Sequence, residues 1–188
     1  PGSGCNVALL EVTPPDAHGY MSMGTCADCI RRACREADLV IVETNTTFPF
    51  VPGSNVIHVS EVNYIVTDDA ENYLMEGPGV DVDAENIPVY KAIGGYLSEL
   101  IPDEATLEVG LGRLNAAALM YLENKRDLGV HTEVYGEILM LLTQQGVITN
   151  QKKSENRGIS VFTQVVGTRQ LYDWLNHNPG TALNNSQE

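Results

Sequence analysis

Apolar residues in this chain come in short, nearly unbroken runs, separated by stretches with helical spacing or by polar clusters. Val7 to Val12 is such a run, and it ends at Thr13-Pro14-Pro15-Asp16; this predicts a buried strand leading into a loop. Ala27 to Ala37 places alanines and charges at helical spacing. Leu39 to Glu43 is a second β-branched run, closed by Thr44-Asn45-Thr46-Thr47. A third run, Val56 to Val59, passes through Ser60-Glu61 to Tyr64-Ile65-Val66.

The acidic stretch Thr67 to Ile87 has no sustained period and carries Gly77-Pro78-Gly79, as a linker would. Beyond Pro88 the alternation resumes. The pattern predicts helix over Val89–Leu100, Asn115–Glu123, Glu137–Gln144 and Arg169–Asn176, and strand over Thr106–Val109, Gly129–Val134 and Ile159–Val166, with a polar tail last. Strands alternating with helices of this length imply parallel βαβ units, hence an α/β fold. The expected organisation is one α/β lobe over residues 1–68, a linker over 69–87 and a second lobe over 88–188. No fixed internal period is present. Parallel sheets bind ligands in the loops leaving the carboxyl ends of their strands. Here these are Thr13–Gly19, Thr44–Gly53, Gly110–Leu114, Glu133–Gly136 and Gly167-Thr168.

Charge narrows the partners. With 25 acidic against 11 basic residues the formal net charge is -14, which disfavours nucleic acid. A small phosphorylated ligand stays allowed, because backbone N–H groups hold phosphate without net positive charge. No apolar stretch reaches the ~20 residues needed to span a bilayer, so no membrane association is expected. Pro1 to Asn6 lacks the layout of a signal peptide, and a cytoplasmic protein is expected. Cys26-Ala-Asp-Cys29, with Cys34 nearby, fits a redox or metal spacing but has no fourth zinc ligand; packed free thiols are the alternative reading, and no metal site is expected.

Three places could carry chemistry. Glu133, in His131-Thr132-Glu133, falls at the end of a predicted strand. A carboxylate there is either a solvated or capping residue, or a nucleophile that, held dry against a thioester carbonyl, expels a thiolate. Gly110-Leu111-Gly112 lies between strand and helix. It reads as a tight turn, or as a source of N–H donors for phosphate or an oxyanion. Gly167-Thr168 repeats the arrangement, with Thr168 also suited to capping the next helix. His18, His58 and His177 read as surface or hydrogen-bonded histidines, and Leu171, Tyr172 and Trp174 as core-facing helix residues.

Val7-Ala-Leu-Leu-Glu-Val-Thr-Pro-Pro-Asp-Ala-His-Gly-Tyr20 is similar to the ALIQVSPPDEHGY segment of the acetyl-CoA hydrolase and 4-hydroxybutyrate CoA-transferase family, and Met21-Ser-Met-Gly24 continues it. Further blocks follow in the same order: Asn45 with Pro49 and Gly53, Ile57 to Glu61, Lys91 to Gly94, Leu100 to Asp103, Asp127 to Glu133, Gly146 to Asn150, and Gly167 to Asp173. On these blocks the chain resembles that family over nearly its whole length.

The resemblance implies a CoA-transferase fold of two related α/β lobes, each incomplete here, acting on acyl-CoA and small carboxylates. It implies no cofactor beyond coenzyme A as substrate. Glu133 matches the family glutamate that attacks acyl-CoA and then carries CoA as a thioester; Gly110, Gly112, Gly167 and Thr168 are the expected CoA-binding positions. Hydrolysis of acyl-CoA, or a silent CoA-binding or assembly module, are the alternatives. Two departures stand out. The family continues Met-Phe-Ser-Asp-Gly after His-Thr-Glu where this chain has Val134-Tyr135-Gly136-Glu137, and it has a proline where Asn115 stands, which removes Asn115 from the expected site. Family members extend past both ends of this chain and carry a late glycine-rich segment. A fragment or shortened relative is therefore expected, working as a homo-oligomer or with the rest of a parent protein.

Overall fold

A computed structural model of the chain describes residues 5–67, 84–110, 112, 114–115 and 119–184. It divides into two units, Pro1–Met75 with Leu175–Glu188, and Glu76–Trp174.

In the first unit β1 (Val7–Val12) is followed by β2 (Tyr20–Ser22), α1 (Ile30–Glu36), β3 (Leu39–Thr44), β4 (Val56–His58) and β5 (Tyr64–Val66). β1 and β3 run parallel, with Val7 opposite Leu39 and Val12 opposite Thr44, and β5 adds parallel to β3. Alternation sorts the side chains. Ala8, Val12, Val40 and Val42 turn inward to a core shared with Met21, Cys34 and Ile57. Val7, Leu9, Tyr64 and Val66 lie on the other face and are exposed, Leu9 at 72%.

Two features depart from the uniform parallel pattern expected. β2 and β4 form an antiparallel pair, Tyr20 opposite His58. Residues 181–183, expected as polar tail, form β9 (Thr181–Leu183), in which Thr181 and Leu183 are buried. Leu175–Glu188 belongs to the first unit. There His177 N–H donates to Phe50 O at 2.7 Å, Leu183 N–H donates to Pro52 O at 2.7 Å, and the His177 ring stacks on Phe50 at 4.7 Å. Gly53, at φ +139, makes this possible, since a Cβ there would overlap the Leu183 backbone. These contacts span well over 100 residues of sequence and leave no local signature.

The second unit holds α2 (Ile87–Leu100), β6 (Thr106–Leu107), β7 (Gly129–Tyr135), α3 (Glu137–Gln144), β8 (Ser160–Val165) and most of α4 (Arg169–Leu175). Positions 69–83 of the expected linker lie outside the described residues; its end, Ala84–Asn86, is a 3-10 turn opening directly into α2. Gly94 on α2 is buried against Tyr121, whose ring occupies the place a Cβ would take. Of the helix expected over 115–123, positions 116–118 lie outside the described residues, and Met120–Leu122 is a 3-10 turn.

β6, β7 and β8 are neighbours in parallel register, Thr106 opposite Gly129 and His131 opposite Val161. α3 buries Ile138, Leu139, Met140 and Leu142, worth roughly 2 kcal/mol each in area removed from water. Beside them Tyr135 packs at a tilt against Phe162 at 4.7 Å and stacks on Trp174 at 6.0 Å, as the core reading of Trp174 expected. Burial pushes the Tyr135 phenol up to about 12. The amino end of β7 is tied down by polar groups. Val130 N–H donates to Asn150 Oδ1 at 2.8 Å, while the buried Lys153 ammonium donates to Val130 O at 2.7 Å and Ile159 O at 2.8 Å. Among the described residues no helix is long and apolar enough to cross a membrane.

Candidate active site

Three parallel strands in register must release their following loops on one edge of the sheet. In the second unit that edge carries the turn after β6 with Gly110, the turn after β7 with Gly136 and Glu137, and the turn after β8 with Gly167 and Thr168.

Glu133 sits within β7 rather than at its end, because the strand continues through Val134 and Tyr135. Val130, Thr132 and Val134 are buried, while His131 and Glu133 are exposed, as pleating requires of residues on opposite faces. No hydrogen bond or ion pair joins the Glu133 carboxylate to another described residue. The register of β7 and β8 is constant from His131–Val161 to Tyr135–Val165, so Thr163 lies beside Glu133.

On its other side Glu133 meets the Gly110 turn. β6 pairs by backbone only at Thr106 and Leu107, fewer residues than the strand expected over Thr106–Val109. The buried Thr132 side chain takes over beyond them: its Oγ1 accepts from Val109 N–H at 2.8 Å and donates to Val109 O at 2.9 Å. One hydroxyl therefore replaces a rung of the ladder and carries the register two residues further, to Val109 opposite Thr132. Continued by one more residue, the register puts Gly110 level with Glu133. Asn115 then closes the turn by donating from Nδ2 to Gly110 O at 3.2 Å. Gly112 has φ +139, and among the described residues nothing lies within 4 Å of where a Cβ would stand, a conformation and clearance suited to close approach of a ligand. Leu111 and Arg113 lie outside the described residues.

The turn after β8 is built differently. Val166 N–H donates to Tyr135 O at 3.2 Å, holding the ends of β7 and β8 together. Thr168 N–H donates to Glu137 Oε1 at 3.0 Å and the Thr168 hydroxyl donates to the same oxygen. Both donors that the sequence offered to CoA are thus taken by a carboxylate of the chain. A Cβ on Gly167 would lie 2.7 Å from Glu137 Oε2, so glycine is what lets the carboxylate seat. The Thr168 carbonyl accepts from Leu171 N–H at 3.1 Å, which starts α4.

The sequence reading singled out Glu133, Gly110, Gly112, Gly167 and Thr168 but not Thr132, Glu137 or Asn115, the residues that hold them. Thr132 sat inside the His-Thr-Glu motif. Its role needed the register of β6 to become visible.

In the first unit, the Pro14–Tyr20 loop is ordered by Asp16, whose carboxylate accepts from the N–H groups of His18 and Tyr20, each at 2.8 Å. His58 bonds Ser60 and the His18 carbonyl, at 2.7 and 3.0 Å. Cys26, Cys29 and Cys34 are thiols without a disulfide, Cys34 buried and pushed up by desolvation. Among the described residues no group of three His, Cys, Asp or Glu is placed to hold a metal.

Residues 3–73 match the family described as the acetyl-CoA hydrolase/transferase N-terminal domain. The chain is 42% identical over 175 residues to a 4-hydroxybutyrate coenzyme A transferase of Clostridium kluyveri, covering 93% of this chain and 39% of that relative. Its fold superposes on the crystal structure of RipA from Yersinia pestis with a TM-score of 0.87 at 37% identity, covering 96% of this chain and 41% of that one. It also superposes on a 4-hydroxybutyrate CoA-transferase from Porphyromonas gingivalis with a TM-score of 0.83 at 32% identity, covering 95% and 44%. The chain thus spans about two fifths of the length of these relatives.

Proposed function

The chain belongs to the acetyl-CoA hydrolase/transferase family, and on that premise we propose that the full-length protein moves CoA between an acyl-CoA and a carboxylate, with Glu133 as nucleophile. The observation that carries this reading is the parallel register that sets Glu133 beside the Gly110 turn at the carboxyl edge of the sheet. Relatives collinear with the chain over 93% of its length are named CoA-transferases.

The chemistry proceeds by exchange at carbonyl carbon. A Glu133 carboxylate oxygen attacks the thioester carbonyl, the C–S bond breaks, and the CoA thiolate leaves behind an acyl-glutamyl anhydride. The thiolate then attacks the glutamyl carbonyl and releases the donor acid, which leaves Glu133 as a CoA thioester. An acceptor carboxylate repeats the two steps in reverse order and departs as the new acyl-CoA. N–H groups of the turn bearing Gly110 and Gly112 face the oxyanion of each tetrahedral intermediate, where one such donor contributes ~10²–10³ in rate. The turn with Gly167 and Thr168 forms the opposite wall. The exchange asks for no metal or redox cofactor, only coenzyme A as substrate.

To test the assignment, the full-length protein is incubated with acyl-CoA, reduced with borohydride and digested for mass spectrometry. Glu133 carrying the reduction product is the expected result; an unmodified Glu133 beside robust turnover removes it from the mechanism. One observation favours a second outcome for the same intermediate. Glu133 is exposed in this chain, so water has access to the thioester, and hydrolysis then replaces transfer. Product analysis with and without added acetate separates the two.

A further inference from the structure

The Glu137 carboxylate stands where sequence reasoning put a ligand. It is the first residue of α3, half-buried, and accepts both the N–H and the hydroxyl of Thr168, the residue that opens α4. A single acidic side chain therefore bridges the turns that follow β7 and β8. Gly167 completes the fit, because any side chain there would collide with Glu137 Oε2 and with Leu171. The same two strand ends are joined again two residues earlier by Val166 N–H to Tyr135 O. Two independent bonds of this kind rigidify the end of the strand that carries Glu133.

We infer that Glu137 is a positioning residue: it locks the Gly167-Thr168 turn to the end of β7 and so fixes the line of the Glu133 carboxylate. This rests on the reading of Glu133 as nucleophile. A consequence follows for coenzyme A. A phosphate placed on Thr168 would meet a carboxylate at hydrogen-bond distance and would find both donors engaged, so the anionic part of CoA is held elsewhere. Nucleophilic attack depends steeply on placement, and a displacement of about 1 Å costs up to ~10²-fold in rate. Loss of the lock should therefore appear in turnover and not in the capture of acyl-CoA.

The test is a double-mutant cycle in the full-length protein, with kcat and KM for acyl-CoA measured in thioester exchange. Glu137→Ala and Thr168→Val should each lower kcat by about tenfold to a hundredfold, leaving KM within about twofold. The double variant should be no worse than the poorer single, because both remove the same lock. Glu137→Gln keeps an oxygen acceptor for the hydroxyl and should recover part of the loss; it carries the comparison if the alanine variant fails to fold. A rise in KM at unchanged kcat for Thr168→Val would mean that Thr168 holds CoA, and the inference falls. Fully additive losses also overturn it. Amide hydrogen exchange at Thr168 reads the lock without turnover: it should speed up at least about tenfold in Glu137→Gln, and unchanged exchange refutes the lock. Absence of any exchange activity in the wild type would instead overturn the proposed function, whereas an active wild type matched by its Glu137 variants overturns this inference alone.

Discussion

Replacing Thr132 by valine isolates the contribution of one hydroxyl, since the two side chains have the same shape. The structure makes the loss specific: Oγ1 both accepts from and donates to the Val109 backbone, at 2.8 and 2.9 Å, in a side chain that is 4% exposed. Each net hydrogen bond contributes about 1 kcal/mol, and more when the abandoned partner is sealed from water. Val109 is half-buried, so solvent reaches part of what is released. The sum is about 2 kcal/mol. For a chain of this length that corresponds to a fall of about 4–8 °C in Tm. Thermal unfolding followed by circular dichroism provides the assay, with parallel exchange assays on the full-length protein. Turnover should fall as well, because Val109 leads directly into the Gly110 turn beside Glu133. A Thr132→Val protein melting within about 1 °C of wild type would refute the reasoning that this hydroxyl extends the β6–β7 ladder.

Other expectations follow from the same physics. Burial holds the Lys153 ammonium down at about 8 against an ordinary 10.5, so between those values the unfolded chain keeps a proton that the folded chain has lost. Stability should therefore rise with pH through about 8, level off above 10.5, and lack this gain below 8; urea titrations of wild type and Lys153→Met should show the slope only in the wild type, up to about 3 kcal/mol in total. Gly53→Ala forces a Cβ into the Leu183 backbone from a positive φ and should cost roughly 3 kcal/mol or more, read from the urea midpoint; an unchanged midpoint would show that β9 does not pack there. His177→Ala removes the ring stacked on Phe50 and should cost about 1 kcal/mol by the same measurement.

Much of the fold was legible because its elements carry their own signals. Val7–Val12 and Glu137–Gln144 have the bounds their hydrophobic periods predict. The antiparallel β2–β4 pair was not legible. Tyr20-Met21-Ser22 is too short to show a period, and Ser22 is buried for the sake of its bonds to Thr13, Val51 and Asn55. β9 escaped for a similar reason: Thr181-Ala-Leu183 sits among Asn and Gly and is too short to show a period, and contacts such as its bond to Pro52 and the clearance at Gly53 connect it to residues far away in the chain.

At the candidate site the division is sharper. Residue type and order, read alone, determined the alternation of strand and helix, the glycines at strand ends, the acidic surface and the likeness to CoA-transferases, because each is written in neighbouring positions. Tertiary structure alone decided that Thr132 lends its hydroxyl to Val109, that Gly110 comes level with Glu133, and that Glu137 accepts the N–H and hydroxyl of Thr168. Those outcomes depend on which strands pair and in what register, and pairing energies between residues far apart in the chain leave no trace in local spacing.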